Sequence, residues 1–273
     1  MKNLLSTIIA LSIFTAIAAE QNANADKTVL PQTFELKKSA DFGVMIYQNV
    51  RDVVAKKLVK INPDRLYKLS FDYKRATPGK EIVLWVGFRS YDKNKRRIQP
   101  REVRYVKNSE TELIVPCEPG SKKMLIRNGS KWNPKIPTFI AFNVKNNYAD
   151  LPNTDCHRTG KISVVKKDGF YELNFTRQLK KGYPTGTKIR QHFNGPDIRK
   201  YMTSPGMKWQ KGLMTIDGID DGSNIMRSNK YWLPGSAYFK IFIWTSAKNK
   251  DDSVLLKNIK YEILPKPENE ELF

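Results

Sequence analysis

Tyr67-Lys68-Leu69-Ser70-Phe71-Asp72-Tyr73 alternates apolar and polar side chains at every step, the period of a strand with one buried face and one wet face. Close behind it, Ile82-Val83-Leu84-Trp85-Val86-Gly87-Phe88 is apolar throughout and predicts a central strand covered on both faces. Outward from these two, strand-like runs recur at residues 57–61, 102–106, 112–115, 123–126, 139–142, 161–165, 171–175, 188–192, 208–216, 237–244 and 253–264. Turn chemistry separates many of them, as in Asn62-Pro63-Asp64, Thr77-Pro78-Gly79, Glu118-Pro119-Gly120, Lys167-Asp168-Gly169, Pro184-Thr185-Gly186 and Leu233-Pro234-Gly235. Residues 50–58 could close one helical turn, but no long stretch holds a helical period. Many short strands at this spacing predict an all-β antiparallel sandwich or barrel.

The middle of the chain has another texture. Its strands are shorter, both cysteines lie there, and residues 143–160 carry little strand signal. We read residues 110–190 as a small β-unit inserted into a larger sandwich. Residues 26–109 and 191–264 then form that sandwich together, and residues 265–273 are an acidic, Pro-containing tail.

The first 25 residues read as an export signal. Lys2 supplies the positive start, an apolar stretch follows to Ala19, and Ala16-Ile17-Ala18 and Ala23-Asn24-Ala25 offer small-residue cleavage sites. No later run approaches the roughly 20 apolar residues that span a bilayer, so the expected location is secreted or periplasmic, without a transmembrane segment in the mature chain. There are 48 Lys and Arg against 27 Asp and Glu, a net charge of +21. Cleavage after Ala25 removes one Lys and one Glu and leaves that balance unchanged. Outside the cytoplasm such charge points away from nucleic acid and toward acidic polysaccharide, phosphate polymers or anionic membrane. High charge also serves solubility alone. Cys117 and Cys156 are an even pair in an oxidising compartment. They are either bridged, closing a loop of about 40 residues for about 4 kcal/mol in the chain-entropy picture, or two buried thiols.

Residues 59–74, Val59-Lys60-Ile61-Asn62-Pro63-Asp64-Arg65-Leu66-Tyr67-Lys68-Leu69-Ser70-Phe71-Asp72-Tyr73-Lys74, resemble the early strands of jelly-roll carbohydrate-binding modules with a galactose-binding-like fold. There a turn precedes a Tyr-x-Leu-Ser-like strand. Phe88-Arg89-Ser90-Tyr91-Asp92-Lys93-Asn94-Lys95-Arg96-Arg97-Ile98 is similar to that family's Tyr-Asp-x-x-Gly-x-x-Ile hairpin, with Asn94 or Lys95 where Gly often stands. Trp209 opens a strand, residues 237–244 resemble the penultimate strand and residues 255–264 the closing one. Lys257-Asn258 replaces the closing strand's usual acidic residue, a departure that bears on the family's calcium site. The insert is similar to small β-units of exported and fibre-like proteins. The resemblance implies an antiparallel jelly-roll β-sandwich that binds glycan without changing it, alone or beside a partner glycan-degrading enzyme.

The residues suggest where. If residues 97–105 are extended, Arg97, Arg101 and Tyr105 share one face; Arg clamps carboxylate or sulfate with paired hydrogen bonds, and Tyr offers a ring for stacking. The plain alternative is a charged edge strand that resists aggregation. Trp85 and Trp244 lie in apolar runs and read as core. Trp132, Trp209, Tyr231 and Trp232 adjoin polar or Gly/Pro-rich segments and read as stacking rings, with Arg227 beside the last two. The rival is a jelly-roll lyase acting on a uronate-containing glycan, with His192 as base, Arg190 to neutralise the uronate and Tyr201 as partner. Asp217, Asp220 and Asp221 in a Gly-rich loop could hold a structural calcium ion or simply make a turn.

Overall fold

The computed structural model describes residues 53–78, 82–136, 138–223, 230–247 and 252–266, together with the backbone of three strands nearer the N-terminus. The expected export signal and Arg227 lie outside the described residues, as does the tail beyond Lys266. Before the insert come β1 (Asp26–Val29), β2 (Lys37–Ser39), β3 (Gly43–Tyr47), β4 (Val53–Val54), β5 (Val59–Lys60), β6 (Arg65–Arg75) and β7 (Ile82–Tyr91). A single helical turn, α1 (Pro100–Val103), precedes β8 (Thr111–Glu112), β9 (Lys123–Ile126), β10 (Thr138–Phe142), β11 (Cys156–Gly160), β12 (Ile162–Lys167), β13 (Phe170–Phe175) and β14 (Lys188–Phe193). The chain ends with β15 (Ile198–Thr203), β16 (Gln210–Asp217), β17 (Tyr238–Ala247) and β18 (Ser253–Pro265).

Two antiparallel sheets face each other. One runs β16-β6-β18-β3-β2, with β1 also on β18; the other runs β15-β7-β17-β4, with β5 also on β17. Leave out the insert and count β3, β4/β5, β6, β7, β15, β16, β17 and β18 as first to eighth. The sheets then read 6-3-8-1 and 5-4-7-2, the strand order of a jelly roll. The core between them takes the inward half of each alternating strand: Tyr67, Leu69 and Phe71 from β6, Leu84, Val86 and Phe88 from β7, and Phe239, Ile241 and Ile243 from β17. Val53 and Val54, expected in a helical turn, instead pair with Ile243 and Phe242; β-branched side chains suit a strand edge better than a helix.

The insert folds on its own centre. Its sheets run β11-β10-β14-β8 and β12-β13-β9 and enclose a second apolar cluster that includes Leu113, Ile126, Ile140, Phe142, Leu173 and Ile189. The chain enters and leaves it side by side: Tyr105 bridges to His192, and Val106 N–H donates to the Gln191 carbonyl at 2.9 Å. The last insert strand, β14, runs on to Phe193, so it crosses the expected boundary at residue 190 and carries the insert's hydrogen bonding into the sandwich.

Candidate functional site: an aromatic and cationic sheet face

The expected binding stretch at residues 97–105 is not extended. Pro100 opens α1, and the Gln99 N–H donates to the Glu102 carboxylate at 3.2 Å; proline's fixed φ favours this first helical position. The turn scatters the three residues. Arg97 pairs with Asp197 at 3.2 Å, Arg101 lies over the Phe139 ring, and Tyr105 is buried and stacked on Tyr148 with centroids 4.6 Å apart. Two of the expected stacking rings are core. Trp132 belongs to the insert's cluster and donates its indole N–H to the Ser109 carbonyl at 2.9 Å. Trp232 is fully buried, stacked on Phe239 and edge-on to Tyr67. Trp209 and Tyr231 of that group stay half-exposed.

The lyase arrangement does not assemble either. Arg190 and His192 have no exposed surface. Arg190 Nε donates to His192 Nε2 at 3.0 Å, and His192 Nδ1 donates to the Arg101 carbonyl at 2.8 Å. Both ring nitrogens are engaged, so the ring has no free lone pair for a substrate proton. Burial first, then the Arg190 charge, pushes the imidazole pKa down to about 3. Asp150 holds Arg190 from the other side at 2.8 Å, and the guanidinium lies against the rings of Tyr105 and Tyr148. This is a structural joint between insert and sandwich. Tyr201 is on β15, in a different sheet.

The acidic loop is equally occupied. Asp217 pairs with Lys266 at 2.9 Å, Asp220 faces the buried Arg104 at 3.6 Å, and Asp221 accepts from the Ser223 N–H and hydroxyl. No group of three or more metal-binding side chains converges among the described residues: of the expected calcium ligands, Asp220 and Asp221 meet each other, and Asp217 turns away to Lys266. Cys117 and Cys156 are both free thiols. Cys156 Sγ donates to the Arg101 carbonyl and Cys117 Sγ approaches the Lys123 carbonyl, so each sulfur turns toward a backbone oxygen rather than toward the other. Burial raises both thiol pKa values, which keeps them protonated.

What the structure does bring together is the outer face of the β15-β7-β17 sheet. The run at residues 82–88 is covered on only one side: Ile82, Leu84, Val86 and Phe88 point inward, whereas Val83 and Trp85 point out and keep partial exposure. Register sets Tyr201 of β15 opposite Trp85 of β7, and Trp85 opposite Trp244 of β17. The two indoles stack with centroids 3.9 Å apart and planes 21° from parallel, and Tyr201, 53% exposed, closes the row at 6.1 Å. Arg199 lays its guanidinium 3.7 Å above the free side of Trp85. Gly87 makes this possible, because a Cβ there would collide with the Ile198 carbonyl oxygen and the Arg199 Cα. Further along the same face Arg89 covers Phe242 and Lys240 lies over Tyr91. Partial burial lowers the Arg199 pKa, while Asp197 and Tyr201 oppose that shift; starting from so high a value the guanidinium stays charged. Trp85 and Trp244, expected in the core, are therefore the half-buried centre of this outer row.

Polar residues of the same parity carry the signal that finds this face. In β17, Lys240 and Ser246 share their side with Trp244, while Phe239, Ile241 and Ile243 take the other. No family model matches this chain, and neither a curated protein nor a solved structure matches it. Among the described residues no helix is long and apolar enough to cross a membrane.

Proposed function

We propose that this chain is an exported, non-catalytic binder of acidic polysaccharide, and that the outer face of the β15-β7-β17 sheet is its site. The observation that carries the reading is the row Tyr201-Trp85-Trp244 with Arg199 stacked on it, outside both apolar cores. A sugar ring has apolar C–H faces and a polar rim, so it packs against aromatic surface while its substituents seek hydrogen bonds. Because Arg199 and Trp244 take both faces of Trp85, the row meets its ligand with ring edges and with the exposed Tyr201. Arg199 supplies a planar, permanently charged fork for carboxylate or sulfate. The net charge of +21 adds a long-range field that draws polyanions in and that salt weakens. Secretion or periplasmic location, and a glycan-degrading enzyme as companion, belong to the same proposal.

Affinity electrophoresis through gels containing alginate, chondroitin sulfate, cellulose derivatives or xylan tests it. The anionic polysaccharides should retain the protein and the neutral ones should not, with retention falling as salt is added. Arg199→Ala and Trp244→Ala should each weaken retention about tenfold, the equivalent of about 1.4 kcal/mol, with unchanged circular dichroism. Equal retention by neutral xylan would remove the electrostatic part of the reading. Full retention by both variants would remove this face.

A further inference from the structure

We infer a second acidic-glycan site on the opposite outer face of the sandwich, so that one molecule ties two polyanionic chains together; this inference rests on the reading above. The outer face of β16-β6-β18 holds a cleft of about 610 Å³, within the range of roughly 300–1,000 Å³ usual for ligand sites. A bulge makes it. The β18 register shifts between Lys257 and Lys260, and Asn258 takes φ 53°, as bulges do when they re-aim a side chain. Asn258 swings over β6 and donates to Asp72 at 2.7 Å. At Gly212 the inward-pointing Phe71 ring fills the space of a Cβ, and on the outer side the exposed Leu213 lines the cleft with apolar surface.

Three lysines, Lys68, Lys211 and Lys260, line the cleft with two carboxylates, Asp72 and Glu262. Glu262 is shared between Lys68 at 3.8 Å and Lys260 at 3.6 Å, so one of those charges is left uncompensated. Lys211 also lines the cleft and has no carboxylate within ion-pair distance among the described residues. Beside it Trp209 lies 5.1 Å from the Lys74 ammonium and 4.2 Å from that of Lys257, measured to the ring centroid. Aromatic surface and excess positive charge therefore recur here as on the first face. In a jelly roll the outer faces of the two sheets point in opposite directions, so a hexasaccharide on one cannot reach the other, and each face can hold its own chain.

Isothermal titration of the full mature chain with an alginate hexasaccharide and, separately, a heparin hexasaccharide counts the sites, and turbidity with high-molar-mass alginate reads cross-linking. We expect two sites per chain and turbidity that rises and then dissolves in excess polysaccharide. The double change Lys211→Gln, Lys257→Gln should leave one site and abolish turbidity while retaining the affinity of the first face. Lys166→Gln, Lys167→Gln removes the same charge from β12 and should change neither. One site in the original protein, unaffected by the Lys211 and Lys257 changes, would overturn the second site and leave the first intact. Absence of any binding by either hexasaccharide would overturn both. Loss of binding to phosphatidylglycerol vesicles in the Lys211 and Lys257 variant, with two glycan sites preserved, would assign this face to a lipid surface and overturn the inference.

Discussion

His192 and Arg190 illustrate how burial removes two side chains from the chemistry their types suggest. The unfolded chain protonates His192 near pH 6.5, whereas the folded chain keeps it neutral down to about pH 3. The unfolded state thus binds the extra proton throughout that window, and stability should fall as the solution is acidified, by about 1.4 kcal/mol for each pH unit below 6.5. Urea titrations at pH 7, 5.5 and 4.5 check the slope. His192→Gln should flatten it and cost stability at pH 7, because the Arg190 donor loses its imidazole acceptor inside the joint; an unaltered slope would place the titration elsewhere. Removing the cation is the harsher change. Arg190→Met takes the cation from Asp150 and Glu110 and leaves Asp150 only its neutral donors, Lys145 N–H and the Asn153 amide; breaking a buried pair from one side costs about 3–5 kcal/mol.

The strands decide how these residues are presented, and β7 is the most instructive of them. Gly87 sits where any side chain would strike the β15 backbone, so its replacement must either push the edge strand away or twist it. Gly87→Ala should lower unfolding free energy by about 1–3 kcal/mol and lift Arg199 from the Trp85 ring. The second effect can be read as a change in tryptophan emission and as weaker retention on alginate; a variant with wild-type stability and retention would show that β15 has slack. Here too lies the limit of what could be read from the sequence. Strand existence was legible, since β6 alternates cleanly between marked turns, and so was the antiparallel all-β sandwich. The outer row was not. In an unbroken apolar run such as residues 82–88 parity carries no polar marks, so Trp85 reads as core until β17, with Lys240 and Ser246 on the side of Trp244, fixes which face is wet. The opposite error befell Trp132 and Trp232, whose polar neighbours belong to turns that fold the indoles inward. Pro100 turned the expected extended basic stretch into α1, which no alternation pattern could show.

At the scale of the molecule, two apolar clusters with a polar joint between them describe a sandwich that needs little from its insert. Among the described residues of the insert, the sandwich cluster draws on Leu151 alone, packed against it from outside. A shortened chain that joins Ser109 to Gln191 through a brief linker should therefore fold cooperatively by circular dichroism and chemical denaturation, with lower stability because Tyr105 loses both Tyr148 and Arg190; an unfolded product would make the insert part of the sandwich. The two outer faces remain in that shortened chain, and with them the proposed binding. The central claim concerns which rings meet the glycan, and the five tryptophans answer it directly through the indole N–H signals of the ¹⁵N-labelled protein during titration with an alginate hexasaccharide. The account predicts that the Trp85 and Trp244 signals shift, with Trp209 following if the second face is occupied, while those of the buried Trp132 and Trp232 stay in place. Shifts confined to Trp132 and Trp232, or a saturating titration that leaves Trp85 and Trp244 unmoved, would contradict it.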